Sequence, residues 1–103
     1  LEFRRVLFRS YEDELVYAFY DIDPQAPTHF LVIPKAHIAS CGEITAENSA
    51  VVAHCFEVIS KVTKDLGIAQ FRVVSNCGEQ AGQSVFHLHF HVLAGRDMTW
   101  PPG

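Results

Sequence analysis

The chain has 103 residues, 49% of them hydrophobic and 19% charged, which suits a single domain with a modest core. Eight basic against twelve acidic residues give a net charge of −4, a poor balance for gripping nucleic acid non-specifically. No apolar run is long enough to span a bilayer and no secretory signal is visible, so neither a nucleic-acid nor a membrane partner is expected.

Taken in chain order, residues 1–10, from Leu1 to Ser10, fit neither a helix nor a strand pattern. The stretch back-translates without mismatch into the tail of a widely used short-read sequencing adapter. It is read as an assembly artefact, leaving 11–103 as one domain. Leu15 to Tyr20 and Phe30 to Ile33 read as strands, and Pro24 and Pro27 keep the loop between them from becoming helical. Thr45 is the expected N-cap of a helix over about 46–66, with Gly67 as its stop. Val52, Cys55, Phe56, Ile59, Val62 and Leu66 recur there at three- and four-residue steps and form the expected buried stripe. His54, mid-helix and off that stripe, is expected to be exposed or held at a subunit contact. A strand around Phe71 to Ser75 follows. Hairpins beside one long helix predict an α+β fold with an antiparallel sheet, in the order β-β-α-β-β. Cys41, Cys55 and Cys77 are odd in number and lack zinc-like spacing, as expected of reduced thiols in a cytoplasmic protein.

The most informative run comes last: His87-Leu88-His89-Phe90-His91-Val92-Leu93. Successive side chains on a strand point to opposite faces, so the three imidazoles share one face while Leu88, Phe90 and Val92 anchor the other. At roughly 3.3 Å rise per residue, the imidazoles recur about every 6.5–7 Å along the strand. Such a row can supply a nucleophile, proton carriers and hydrogen-bond donors near neutral pH. Just upstream, Asn76 to Ser84 forms a loop carrying Gly78 and Gly82. Glycines let main-chain N–H groups approach an anion, and Asn76 and Ser84 add neutral donors, so the loop reads as a phosphate cradle.

His87 to Leu93 matches the pattern His-φ-His-φ-His-φ-φ, with φ hydrophobic, and Gly82-Gln83-Ser84-Val85 precedes it. With the block from Asp21 to Lys35 and the ending Trp100-Pro101-Pro102-Gly103, the chain resembles the histidine triad (HIT) family. Within that family it looks like the nucleoside phosphoramidate hydrolases often called histidine triad nucleotide-binding proteins, from about Tyr11 to the last residue. The resemblance implies a purine nucleoside phosphoramidate hydrolase in which His89 attacks the α-phosphorus and a nucleotidyl-histidine forms. His91 and the Val85 amide would stabilise the phosphate oxygens, His87 would orient its neighbour, and Ser84 would serve the leaving amine. Asn76, Gly82 and Gln83 would help hold the phosphate or ribose, Asp21 would bind the ribose hydroxyls, and Phe19 and Ile22 would wall a purine pocket. His37 is expected to support the active-site histidines by hydrogen bonding, whereas His29 is expected to be structural.

The resemblance further implies a homodimer in which the C-terminal segment reaches the partner's active site, and no required cofactor or metal. Relatives carry a first strand and short helix that residues 1–10 would have displaced. A structural zinc stays open if that natural N-terminus carried a Cys pair. Transferase relatives have Gln where this chain has His91, which favours hydrolysis. A dinucleoside polyphosphate hydrolase, a metal-dependent enzyme using His-x-His ligands, and a non-catalytic nucleotide-binding scaffold are the alternatives.

Overall fold

A computed structural model describes residues 10–103. Residues 1–9 of the segment read as foreign lie outside the described residues, and Ser10 opens the first strand. Five strands form one antiparallel sheet: β1 (Ser10–Glu12), β2 (Val16–Tyr20), β3 (Thr28–Pro34), β4 (Arg72–Val74) and β5 (Phe90–Ala94), in the spatial order β1-β2-β3-β5-β4. Helix α1 (Ser49–Asp65) packs across β2 and β3. The α+β antiparallel architecture is as expected, with β1 an additional strand ahead of the β-β-α-β-β series. It pairs with β2 in the register Tyr11↔Ala18.

Strand alternation decides which face the helix covers. Val16 and Ala18 on β2, Phe30 and Val32 on β3, and Phe90 and Val92 on β5 point one way and are buried. They meet Cys55, Val58, Ile59 and Val62 of α1, with Ile38 and Leu88 closing the core. Each such side chain contributes about 1.5–3 kcal/mol by leaving water, so this face carries most of the fold's stability. Among the described residues no helix packs on the other face of the sheet. There Phe19 pairs with Leu31, Leu31 with His91, and His91 with Val74, making one row across four strands.

The helix differs from expectation at its start and in its buried stripe. It begins at Ser49, with Asn48 rather than Thr45 at the N-cap position. Asn48 turns its side chain backwards: Oδ1 accepts from the Thr45 amide at 2.7 Å and Nδ2 donates to the Glu43 carbonyl at 3.1 Å. That local bonding holds 46–48 as a turn. Gly67 does end the helix, at φ +74°, with Ile68 N–H donating to Thr63 O and Gly67 N–H to Lys64 O in a Schellman closure. The buried stripe takes in Val58 and Thr63, one on each flank, beside the expected Cys55, Ile59 and Val62. Phe56 is half-exposed, its ring edge-on to Phe90 at 5.0 Å. Thr63 is buried because its hydroxyl donates to the Ile59 carbonyl at 2.8 Å.

Candidate active site

The three histidines do not all lie in one strand, as the alternation suggests. Only His91 belongs to β5; His87, Leu88 and His89 run just ahead of it. The ladder stops because β3 ends at Pro34, which has no N–H to offer. Leu88 N–H donates instead to Ile38 O at 2.6 Å, and the Ser75 hydroxyl donates to the His89 carbonyl at 3.1 Å. The side chains nevertheless keep alternating, with Leu88, Phe90 and Val92 buried and the three imidazoles only partly covered.

Main-chain carbonyls fix the proton on His87 and His89. A carbonyl can only accept, so the 2.7 Å contact from His89 Nδ1 to His87 O puts the His89 proton on Nδ1 and leaves the Nε2 lone pair open. His87 donates through Nε2 to Pro34 O at 2.8 Å, and its Nδ1 faces His37 Nδ1 at 3.3 Å. The His87 side chain thus touches His37 and β3, and it reaches His89 through its carbonyl. His91 stacks edge-on to His89 with ring centroids 5.0 Å apart. Burial, then the charges of His89 and His29, hold the His91 pKa below the ordinary 6.5, against an opposing pull from Asp21. Burial thus favours the neutral ring, which has one N–H and one lone pair.

His29 belongs to this site. Sequence reading gave it a structural role, and it is indeed buried. Yet its Nε2 lies 2.9 Å from His91 Nδ1, and Asp21 Oδ2 stands 3.5 Å from His29 Nε2 and 4.0 Å from His91 Nδ1. The signal was positional: His29 lies two residues from Leu31, which faces His91, so the two rings are diagonal neighbours on one face. Asp21 also accepts the Asp23 amide on Oδ1 at 2.8 Å, which aims its second oxygen at the histidines.

The loop is positioned as expected but not by every residue proposed. Gly78 and Gly82 adopt φ +90° and +95°, conformations natural to glycine, and a Cβ on Gly82 would lie 3.7 Å from Asn76 Nδ2. Gln83, expected on the phosphate, is turned inward and buried. Its Oε1 accepts the Gly78 amide at 2.8 Å, and its Nε2 donates to the carbonyls of Ala39 and Val85 at 2.8 and 3.1 Å. It holds the loop in shape. Ser84 and Val85 are exposed beside His87. Phe19 lies on the sheet face opposite α1 with its ring 5.1 Å from that of Tyr17, and Ile22 stands fully exposed.

A HIT domain model matches residues 7–98. The chain belongs to the HIT family. An uncharacterized HIT-like protein of Synechocystis is 49% identical over 94 residues, spanning 90% of this chain and 82% of that protein. The crystal structure of a HIT family hydrolase from Legionella pneumophila superposes with a TM-score of 0.88 at 38% identity, covering 98% of this chain and 97% of that one. A histidine triad nucleotide-binding protein from Candida albicans gives a TM-score of 0.73 at 28% identity, covering 97% and 82%. The alternating histidines His87, His89 and His91 lie within the matched HIT domain, with His29 as a fourth ring against His91.

Asp21, His29 and His91 bring three possible metal-ligand atoms within 4.8 Å of one another. Their tautomers do not suit a metal. The Gln25 amide donates to His29 Nδ1 at 3.0 Å, so the neutral ring carries its proton on Nε2, where a metal would need a lone pair. Among the described residues no helix is long and apolar enough to cross a membrane.

Proposed function

We propose that this HIT protein hydrolyses purine nucleoside phosphoramidates through a covalent intermediate on His89. The observation that carries this reading is the pairing of two neighbouring rings with opposite polarity. His89 presents an Nε2 lone pair because Nδ1 is spent on His87 O, while His91 accepts at Nδ1 and so presents an N–H at Nε2. The first ring suits attack on phosphorus, and the second suits the oxygen on which charge develops. Phe19 shares a row with His91 across Leu31, two strand spacings or roughly 10 Å away. That span fits a base on Phe19 with its phosphate beside the triad.

In the first step His89 Nε2 bonds to the α-phosphorus and the P–N bond breaks. The departing amine takes a proton through the Ser84 hydroxyl, which is replenished from solvent. In the second step water adds to phosphorus and gives a proton to solvent, which balances the one drawn through Ser84, the P–Nε2 bond breaks, and a nucleoside monophosphate leaves with neutral His89 restored. No step calls on a metal. The names of the relatives, a HIT family hydrolase and a histidine triad nucleotide-binding protein, agree with a nucleotide substrate and hydrolysis. We further propose a cytoplasmic homodimer.

The deciding assay is turnover of adenosine 5'-phosphoramidate. Release of AMP and ammonia supports the reading. Binding of AMP without turnover would make the chain a nucleotide-binding scaffold, and faster cleavage of a dinucleoside polyphosphate would make it a hydrolase of phosphoanhydrides.

A further inference from the structure

The segment just after β5 touches the loop that orients His29, although it lies outside the triad. Arg96 Nε donates to the Gln25 carbonyl at 3.2 Å, and its Nη1 donates to the Asp97 carbonyl at 3.1 Å. Gly95, at φ +98°, packs so closely on Pro27 that a Cβ there would come within 2.9 Å of the proline ring. The loop is held from inside as well: Gln25 Nε2 donates to Asp23 O, Asp23 N–H to Asp21 Oδ1, and Asp21 N–H to His29 O. Gln25 is therefore gripped by its carbonyl, by its side chain and by its amide, and the amide points at His29 Nδ1.

That amide has a chemical consequence two rings away. An N–H can only donate, so His29 Nδ1 must carry a lone pair and the His29 proton must sit on Nε2. His29 Nε2–H then donates to His91 Nδ1 at 2.9 Å, which forces the His91 proton onto Nε2. His91 could otherwise exchange its proton between two nitrogens, and in the other tautomer it would meet a phosphate oxygen with a lone pair. We propose that Arg96, by holding the Gln25 main chain at its carbonyl and so the position of its N–H, is a positioning residue that fixes the tautomers of His29 and His91. The order is Arg96 to Gln25 to His29 to His91, and every link is a hydrogen bond of defined direction. The importance for turnover rests on the phosphoramidase reading; the tautomers themselves do not.

The experiment uses the full chain labelled with 15N-histidine, free of substrate, so it tests the brace apart from the activity. In the native protein Nδ1 of both His29 and His91 gives the shift of an unprotonated nitrogen, and Nε2 that of a protonated one. Gln25→Pro removes the amide donor, and Arg96→Met keeps the stem but removes the guanidinium. Both should move the His91 shifts toward the average of two tautomers, Gln25→Pro further. Gln25→Ala, which keeps the main-chain N–H, should retain the native pattern. In turnover, the two disruptive variants should lower kcat by about 5- to 10-fold, the worth of one net hydrogen bond, with KM within about twofold. A role confined to loop folding would lower thermal stability and leave the His91 nitrogen shifts native. A protonated Nδ1 on His91 in the unaltered protein, or a native His91 pattern in folded Arg96→Met, overturns the proposal. If Gln25→Pro does not fold, these two measurements still decide it.

Discussion

The carbonyl of His87 sits 2.7 Å from Nδ1 of His89, so the first member of the triad sets the polarity of the second through its backbone. The tautomer of His89, the proposed nucleophile, should therefore survive replacement of the His87 side chain. His89→Ala should lower turnover on the order of 10³-fold or more, while AMP binding changes little because Phe19 and the loop remain. Rapid quenching during turnover should trap a nucleotide on residue 89. An adduct on His87 or His91 would reassign the nucleophile.

Ser84 stands exposed at the end of the loop, and its hydroxyl is the proposed donor to the departing amine. Ser84→Ala should slow substrates with strongly basic amine leaving groups roughly 10²-fold and barely affect those with good leaving groups. A series of aryl and alkyl phosphoramidates gives the comparison. Equal slowing across the series means that Ser84 holds the phosphate instead.

His54 ties α1 to the turn between β1 and β2. Its Nε2 lies 2.6 Å from Asp13 Oδ2, and its Nδ1 lies 2.8 Å from Glu57 Oε1. The Asp13 hydrogen bond, then that of Glu57, raises the His54 pKa above 6.5 against burial, with the charges of both carboxylates adding to the rise. Burial pushes the Asp13 carboxyl up, but hydrogen bonds from His54, the Leu15 and Val16 amides and the Tyr11 hydroxyl outweigh it and hold it below the ordinary 3.8. A raised histidine stabilises fully below pH 6.5 and loses that contribution as pH rises through its raised value. A lowered carboxylate stabilises above pH 3.8 and loses its contribution as pH falls. The native chain should therefore exceed His54→Gln in stability most clearly between about pH 4.5 and 6.5, and the gap should narrow above that. The pair is partly exposed, so the gap is at most about 1 kcal/mol and shrinks with salt. Urea melts at pH 5.5 and 8.5 measure it; a gap that widens at the higher pH refutes the assignment.

Much of this could be read in the residues. Alternation alone separates Leu88, Phe90 and Val92 from the three histidines, and Gly67 marks the helix end. What the sequence hides depends on pairing between distant segments. His29 looks like an ordinary buried residue until the β3 and β5 register sets it diagonal to His91. Gln83 looks like a ligand in a polar loop until Ala39, 44 residues earlier, is seen to receive its amide. Thr45 is displaced from the N-cap position although its carbonyl accepts the Ser49 amide at 2.9 Å, because the Asn48 side chain folds back onto the Thr45 amide and the Glu43 carbonyl and turns 46–48 ahead of the helix, which spacing does not reveal. Phe56 and Val58 sit on opposite flanks of one stripe, and burial of Val58 beside a half-exposed Phe56 is set by how the sheet meets the helix at that level. Val58→Ala should accordingly cost about 1–2.5 kcal/mol in urea unfolding, and Phe56→Ala less than its size suggests because nearly half of it stays in water.

Assembly supplies the last prediction. β4 is a three-residue edge strand whose outer side has no neighbour among the described residues, an arrangement that natural sheets keep short or cover. Beside it, Trp100 is 81% exposed and meets its own chain through the Arg72 guanidinium, 5.9 Å from the ring. Phe71, at the same edge, is also largely exposed. An exposed edge flanked by two aromatics suits a two-fold contact with a second copy, in which each tail could reach across. Light scattering should give twice the chain mass. Truncation before Met98 should alter the ranking of phosphoramidate leaving groups more than the unfolding midpoint, because the tail leaves the core of β2, β3, β5 and α1 untouched. A monomer with full activity, or a truncated chain with unchanged ranking, would remove the dimer and its tail from the description of the site.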